Sequence, residues 1–234
     1  MTSSKYPVVH GTEEILISLC NSVTKVLTTA TRHDVRYSGM VQRISKTCLR
    51  PDIGCFVLFD GGFSGLVVMN FSADSAMEIY SSYLLSMGIS QAELAISHTS
   101  DEVCNVMGEL MNQIVGDFTS KVDRELQTHI TQNQPKMLVL NKQVNLSVDA
   151  NLDNPEARRV TFYTGKGNIF YLELSVDHTE FIQIQDFEAE EAPDPDALIA
   201  EAAAAKGKKA KPSKNKADKN NDSDSDELLK SLGM

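Results

Sequence analysis

Apolar residues recur at two different periods along this chain, and the changes of period mark out its elements. In "TEEILISLCNSVTKVLTTATR" they fall at helical spacing, which predicts a first helix with Thr12 as its N-cap. "VRYSGMVQRIS" reads as extended. "IGCFVLFDGGFSGLVVMNF" is two β-rich runs around Asp60-Gly61-Gly62, a hairpin signal. Ser72 then caps a second helix, "ADSAMEIYSSYLLSM", with Gly88 at the C-cap position. A longer helix runs from about Thr99 to Leu126, where Thr99 and Glu102 have capping-box spacing. After Pro135, "KMLVLNKQVNLSV", "RRVTFYTGKGNIFYLELSV" and "EFIQIQDF" read as strands, the second with a hairpin at Gly165–Asn168. The predicted fold class is α+β, helices packed on one face of a mainly antiparallel sheet.

The periodic pattern stops near residue 187. Residues 188–225 run through acidic, Ala-rich and Lys-rich blocks, with too little apolar area to offset the entropy of ordering them. The chain is therefore expected to be a domain over 1–187, a disordered charged linker over 188–225 and a distinct segment over 226–234. The Lys run from Lys206 to Lys219 has no interleaved aromatics and is flanked by acid, so it reads as solvated linker and no nucleic-acid partner is expected.

Composition narrows the class of function by exclusion. The 234 residues carry a formal net charge of −10 and are 41% hydrophobic, which suits one soluble domain with an appendage. No apolar run approaches the roughly 18–20 residues that span a bilayer, and "MTSSKYPVVHGTEE" lacks the features of a secretory signal. A cytoplasmic location without membrane attachment is expected. Cys20, Cys48, Cys55 and Cys104 are scattered, with no CxxC, and read as buried free thiols; no metal site is predicted. The histidines form no HExxH pair, and "DGGFSG" lacks the lysine of a phosphate loop.

The third helix holds the candidate chemistry. Val103, Val106, Met107, Leu110, Met111, Ile114, Val115 and Phe118 share a broad apolar face. Glu102, Asn105, Glu109, Asn112 and Gly116 follow at steps of three and four and form one polar stripe opposite it. Glu109 and Asn112 are neighbours on that stripe, about 60° apart around the axis. Any amphipathic helix has such a face, so spacing alone marks no site. Mid-helix asparagine and Gly116 are nevertheless poor helix formers, and together they suggest a surface kept low and polar for docking.

The string "NVMGELMN", followed by twenty-two residues and then Pro135, resembles the signature of the CheC/CheX/FliY chemotaxis phosphatase family. That signature is Asp or Ser, three residues, Glu, two residues, Asn, and a proline after twenty-two more. Glu109, Asn112 and Pro135 match it, and Asn105 stands where Asp or Ser is usual. The first helix has Ser18 and Asn21 where a second Glu…Asn pair would fall, so the likeness is to one-site CheX rather than two-site CheC. The resemblance implies a CheX/CheC-like fold and a phosphorylated CheY-like response regulator as partner. It implies that Asn112 orients a water toward the aspartyl phosphate and that Glu109 pairs with the regulator's lysine. Asn105 and Gly116 would line the docking surface. Mg²⁺ would belong to the regulator, leaving no cofactor on this chain, and a homodimer is implied by analogy with CheX. A non-catalytic binding or adaptor module of the same fold stays open as the alternative.

The ending "DSDSDELLKSLGM" adds a separate resemblance. Leu228, Leu229 and Leu232 would form one apolar edge if helical, with Asp226 and Glu227 at the N-terminal end. Asp226, Glu227, Leu228, Leu229, Ser231, Leu232 and Gly233 resemble the C-terminal CheZ peptide that tethers phosphorylated CheY; Lys230 and Met234 depart from it. This segment is expected to bind the response regulator. A flexible linker of this length has an r.m.s. span of roughly 35 Å, enough to reach across a small domain.

Overall fold

Helix α1 (Thr12–Thr31) buries Ile15, Leu16, Leu19, Cys20, Val23 and Leu27, a helical-period stripe that needs a sheet face to cover it. The computed structural model describes residues 9–140 and 144–184, and it supplies that face. Seven strands form one antiparallel sheet: β2 (Arg36–Ile44), β4 (Ile53–Gly61), β5 (Gly65–Phe71), β6 (Ile130–Gln132), β7 (Lys136–Val139), β9 (Pro155–Tyr163) and β10 (Ile169–Asp177). Their order is β2-β9-β10-β5-β4-β6, with β7 also on β4. Two short ribbons flank it, β1 (Val9–His10) with β11 (Phe181–Ile182), and β3 (Thr47–Leu49) with β8 (Leu146–Val148).

Strand alternation decides which residues meet the helices. On β10, Phe170, Leu172, Leu174 and Val176 join the helix-side core, as do Val67, Met69 and Phe71 of β5 and Ile53, Cys55, Val57 and Phe59 of β4. Helix α2 (Ala73–Ser86) adds Ala76, Ile79 and Tyr80, and α3 (Asp101–Leu126) adds Val103, Met107, Leu110, Met111, Ile114, Val115, Phe118 and Val122. Each large apolar side chain of α3 is worth about 1.5–3 kcal/mol on burial, so packing rather than helix propensity anchors the helix. On the opposite face Leu66 and Val68 pack with Leu49, Leu140 and Val148 beneath the β3–β8 ribbon. There Glu173, fully buried, accepts Arg159 Nε at 2.8 Å and the Cys48 backbone N–H at 2.9 Å, which pins the ribbon to the sheet.

The strand order reads alike from both ends. Exchanging α1 with α3, β2 with β6/β7, β4 with β9 and β5 with β10 preserves every pairing of the large sheet. Leu16, Leu19, Cys20, Val23 and Leu27 of α1 then correspond to Met107, Leu110, Met111, Ile114 and Phe118 of α3, and all ten are buried.

The α+β expectation, with three α-helices among the described residues on a mainly antiparallel sheet, is the architecture found. Several boundaries differ. Gly11, not Thr12, is the N-cap of α1: the Glu14 carboxylate accepts the Gly11 N–H at 2.9 Å, and Thr12 is buried instead. Ser100, not Thr99, caps α3, accepting the Val103 N–H at 3.3 Å, while the Thr99 hydroxyl bonds Ser97, so Thr99 and Glu102 form no capping box. Ser72 caps α2 as expected, and Gly88, at φ +91°, follows directly after the last cap residue, Met87. Among the described residues, "KMLVLNKQVNLSV" holds β7 on the large sheet and β8 on the ribbon, and "EFIQIQDF" holds β11. Cys20 and Cys55 are buried, and burial pushes both thiols up to about 12; Cys48 and Cys104 are only half-buried. The 187 boundary, the linker and the segment 226–234 lie outside the described residues.

Candidate functional site

Helix α3 is well specified at its start. Ser100 caps it, and Asp101 and Glu102 sit in the first turn, where the helix dipole favours acid. One flank rests on α1. Lys25 reaches Asp117 at 2.6 Å and Lys121 reaches it at 2.9 Å. Burial alone would push the Asp117 carboxyl up, but hydrogen bonds from Lys25, Lys121 and Ser22 outweigh it and hold the group at about 2. The other flank rests on β6 and β7, where a Cβ on Gly108 would make ordinary contact with Met137 Cγ at 3.5 Å.

Asn105, Glu109 and Asn112 are all exposed along the ridge between these flanks. Glu109 Oε1 accepts the Gln113 side-chain amide at 3.1 Å, one turn on. Asn112 is not on a free outer face as the spacing suggested but at the border with β6, where its Oδ1 accepts Gln132 Nε2 at 3.3 Å. Gly116 is half-buried, yet a Cβ added to it would meet nothing within 4 Å. No packing within the described domain requires that glycine.

Pro135 belongs to the same corner. Gln132 faces Phe59 and Lys136 faces Phe56, so four steps along β6–β7 span three along β4. The extra residue is taken up at Asn133-Gln134-Pro135, and Asn133 Oδ1 accepts the Leu58 N–H at 3.0 Å across it. Proline, which has no N–H to donate, fits an interruption in an edge strand.

A carboxylate and an amide side by side can bind a cation and aim a polar molecule, but they lie on a ridge, not in a cleft. A cavity of about 710 Å³ lies elsewhere, between the end of α1, α2 and the β9–β10 hairpin, lined by Arg32, Asp74, Glu78 and Lys166 among others. A substrate for the ridge must therefore bring its own walls, as a protein partner would. Among the described residues no three His, Cys, Asp or Glu converge as a metal site requires, and no helix is long and apolar enough to cross a membrane.

On α1 the two-fold places Ser18, Asn21 and Lys25 where α3 has Glu109, Asn112 and Gly116. Asn21 Oδ1 is taken by the Tyr37 hydroxyl at 3.1 Å, Lys25 by Asp117, and no carboxylate replaces Glu109. Among the described residues the ridge thus exists once. Gln113 and Gln132 were missed in the sequence. The available signal was Gln132, two residues after buried Ile130 and so on the inward side of β6. Asp226, Glu227, Leu228, Leu229 and Leu232 lie outside the described residues.

The family model described as "Protein of unknown function (DUF3334)" matches residues 6–234. No curated protein matches the sequence. Among solved structures, the chemotaxis protein CheX from Desulfovibrio desulfuricans is similar at 16% identity and a TM-score of 0.57, covering 70% of this chain and 99% of its own. CheX from Vibrio vulnificus is similar at 14% identity and a TM-score of 0.57, with the same coverages of 70% and 99%. The CheX-CheY-BeF3-Mg²⁺ complex from Borrelia burgdorferi is similar at 13% identity and a TM-score of 0.53, covering 70% of this chain and 98% of its own. At these identities the likeness shows the fold, and the CheX/CheC-like fold expected from the sequence is the one found.

Proposed function

The chain belongs to the family described as "Protein of unknown function (DUF3334)", and from its CheX fold and single ridge we propose that it dephosphorylates the aspartyl phosphate of a CheY-like response regulator in chemotaxis or related two-component signalling. The observation that carries this is the exposed pair Glu109–Asn112 on α3, with the Asn112 amide held from β6. A receiver domain would supply the missing walls, the phosphorylated aspartate and its Mg²⁺; this chain contributes no cofactor.

In that reading Asn112 enters the regulator's site, and its Oδ1 accepts a hydrogen bond from a water whose lone pair points at phosphorus. The water oxygen forms the new P–O bond as the bond to the aspartyl carboxylate breaks. Inorganic phosphate and free aspartate result, and the water proton leaves with the phosphate. Glu109 grips the regulator's lysine and keeps the partners in register. Neither group needs to be a strong base, because phosphoryl transfer draws chiefly on positioning and electrostatics. The family match runs to residue 234 and so includes Asp226, Glu227, Leu228, Leu229 and Leu232. These residues would tether the regulator and raise its local concentration to about mM.

The test is the decay of a CheY-type regulator phosphorylated with acetyl phosphate and Mg²⁺. Wild-type protein should accelerate it, and Asn112→Ala and Glu109→Ala should remove the acceleration; unchanged decay in both variants rejects the catalytic reading. Asn105, standing where the signature has Asp or Ser, favours a second reading, a non-catalytic adaptor. The adaptor would bind the beryllofluoride-activated regulator yet leave the decay rate untouched.

A further inference from the structure

Gln132 is half-buried, and the two ends of its amide meet different surroundings. It follows Ile130 by two on β6, so both point toward α3, and Ile130 is buried in the core. The Gln132 Nε2 donates to Asn112 Oδ1 at 3.3 Å, while its Oε1 is buried with no hydrogen-bond partner. A methionine or leucine would fill the same space without an orphan oxygen, and such buried exceptions call for an explanation.

We propose that Gln132 is a positioning residue that fixes which end of the Asn112 amide faces the partner. The inference rests on the phosphatase reading and assigns a role within it. An asparagine side chain can turn its oxygen or its NH₂ group outward, and the two are nearly equal in shape. Only the oxygen can hold an attacking water by its hydrogen and leave the water's lone pair free. The Gln132 donor decides between the orientations, because turning Asn112 over would set NH₂ against NH₂. Turning both amides together would carry the Gln132 NH₂ into the buried pocket, where two donors would lack partners instead of one acceptor. Buried unpaired N–H groups are rarer than unpaired carbonyls, so the observed polarity is the locked one. One lone pair of Asn112 Oδ1 remains for the water.

The experiment uses the full chain and a CheY-type regulator, phosphorylated with acetyl phosphate for turnover and beryllofluoride-activated for binding. Gln132→Met removes the donor and keeps the shape. Its kcat should fall about three- to tenfold, the range of one ordinary hydrogen bond, with regulator affinity within twofold of wild type and no loss in thermal midpoint. Gln132→Glu presents only acceptors, which draws the Asn112 NH₂ toward it, and its kcat should fall further than that of Gln132→Met. On an Asn112→Ala background neither change should have any additional effect on turnover. Wild-type kcat in Gln132→Met, Gln132→Glu no worse than Gln132→Met, or a loss that persists without Asn112 would each overturn the assignment while the phosphatase reading stands. Full activity in Asn112→Ala would instead overturn that reading, and the role of Gln132 with it.

Discussion

Substitutions at Gly116 can separate what the domain needs from what the proposed partner would need. The residue is mid-helix in α3 at an ordinary negative φ, and a Cβ there meets nothing within 4 Å. Gly116→Ala should therefore gain nearly the whole difference in helix propensity, about 1 kcal/mol. For a domain of this size that is a rise of about 2–4 °C in thermal midpoint. The Thr119 and Ser120 hydroxyls bond the Gly116 carbonyl, which the substitution leaves in place. Gly116→Phe puts a ring on the ridge one turn beyond Asn112, and it should weaken binding of beryllofluoride-activated regulator by more than tenfold, roughly the effect of losing 1.4 kcal/mol or more. Gly108→Ala is the matched control: its Cβ makes ordinary contact with Met137 on the flank, so it should stabilise the protein and leave binding alone. Thermal unfolding and titration of the regulator onto the three variants decide the matter. If Gly116→Phe folds and binds like wild type, the ridge is not the docking surface, whatever Glu109 and Asn112 do.

Three further outcomes are expected, two from the structure and one from the sequence of the C-terminal segment. Asp117 is held at about 2 in the folded protein, below its unfolded value, so its contribution to stability is present above about pH 4 and lost as pH falls toward 2. Discounted for partial exposure, Asp117→Asn should cost about 1 kcal/mol at pH 7, and the gap to wild type should narrow below pH 4 and close below about pH 2 in denaturant titrations. Glu173→Gln leaves Arg159 without its carboxylate in the buried face beneath β3, and it should destabilise by about 3–5 kcal/mol in the same titrations. Deleting residues 226–234 should raise the regulator concentration needed for half-maximal turnover without changing kcat; a drop in kcat at saturation would contradict the tethering role.

The helices were legible because their apolar period is continuous, as in the run from Val103 to Phe118, and Glu109 and Asn112 were legible because both lie on one such helix. Errors of one residue arose where two capping groups compete. Thr12 and Thr99 have the right side chains for N-caps, but the Glu14 carboxylate at one end and the Ser100 hydroxyl at the other were better placed. The β3–β8 ribbon was hidden because its pairing joins residues about a hundred positions apart, and no local pattern reports such a partner. Gln132 was hidden for the same reason. Its role is visible only once a three-residue edge strand is laid against a helix twenty positions earlier.

The two-fold sheet explains why the pair occurs once although the helix that carries it occurs twice. Both α1 and α3 need the same apolar stripe, so Leu19 and Leu110, or Val23 and Ile114, are held to one pattern by the core they share. The outward positions have no such constraint and have gone separate ways. On α3 they hold Glu109, Asn112 and a bare Gly116. On α1 they hold Ser18, an Asn21 occupied by Tyr37, and a Lys25 that reaches across to Asp117 directly after Gly116. The lysine that replaces the glycine thus braces the helix on which the glycine was kept. If that brace matters for register, Lys25→Met should reduce turnover through a higher half-saturating regulator concentration, while Asn21→Ala, on the idle helix, should leave turnover at the wild-type value. Equal losses from both would mean that α1 also meets the partner, and that the two ridges are not as different as their side chains make them.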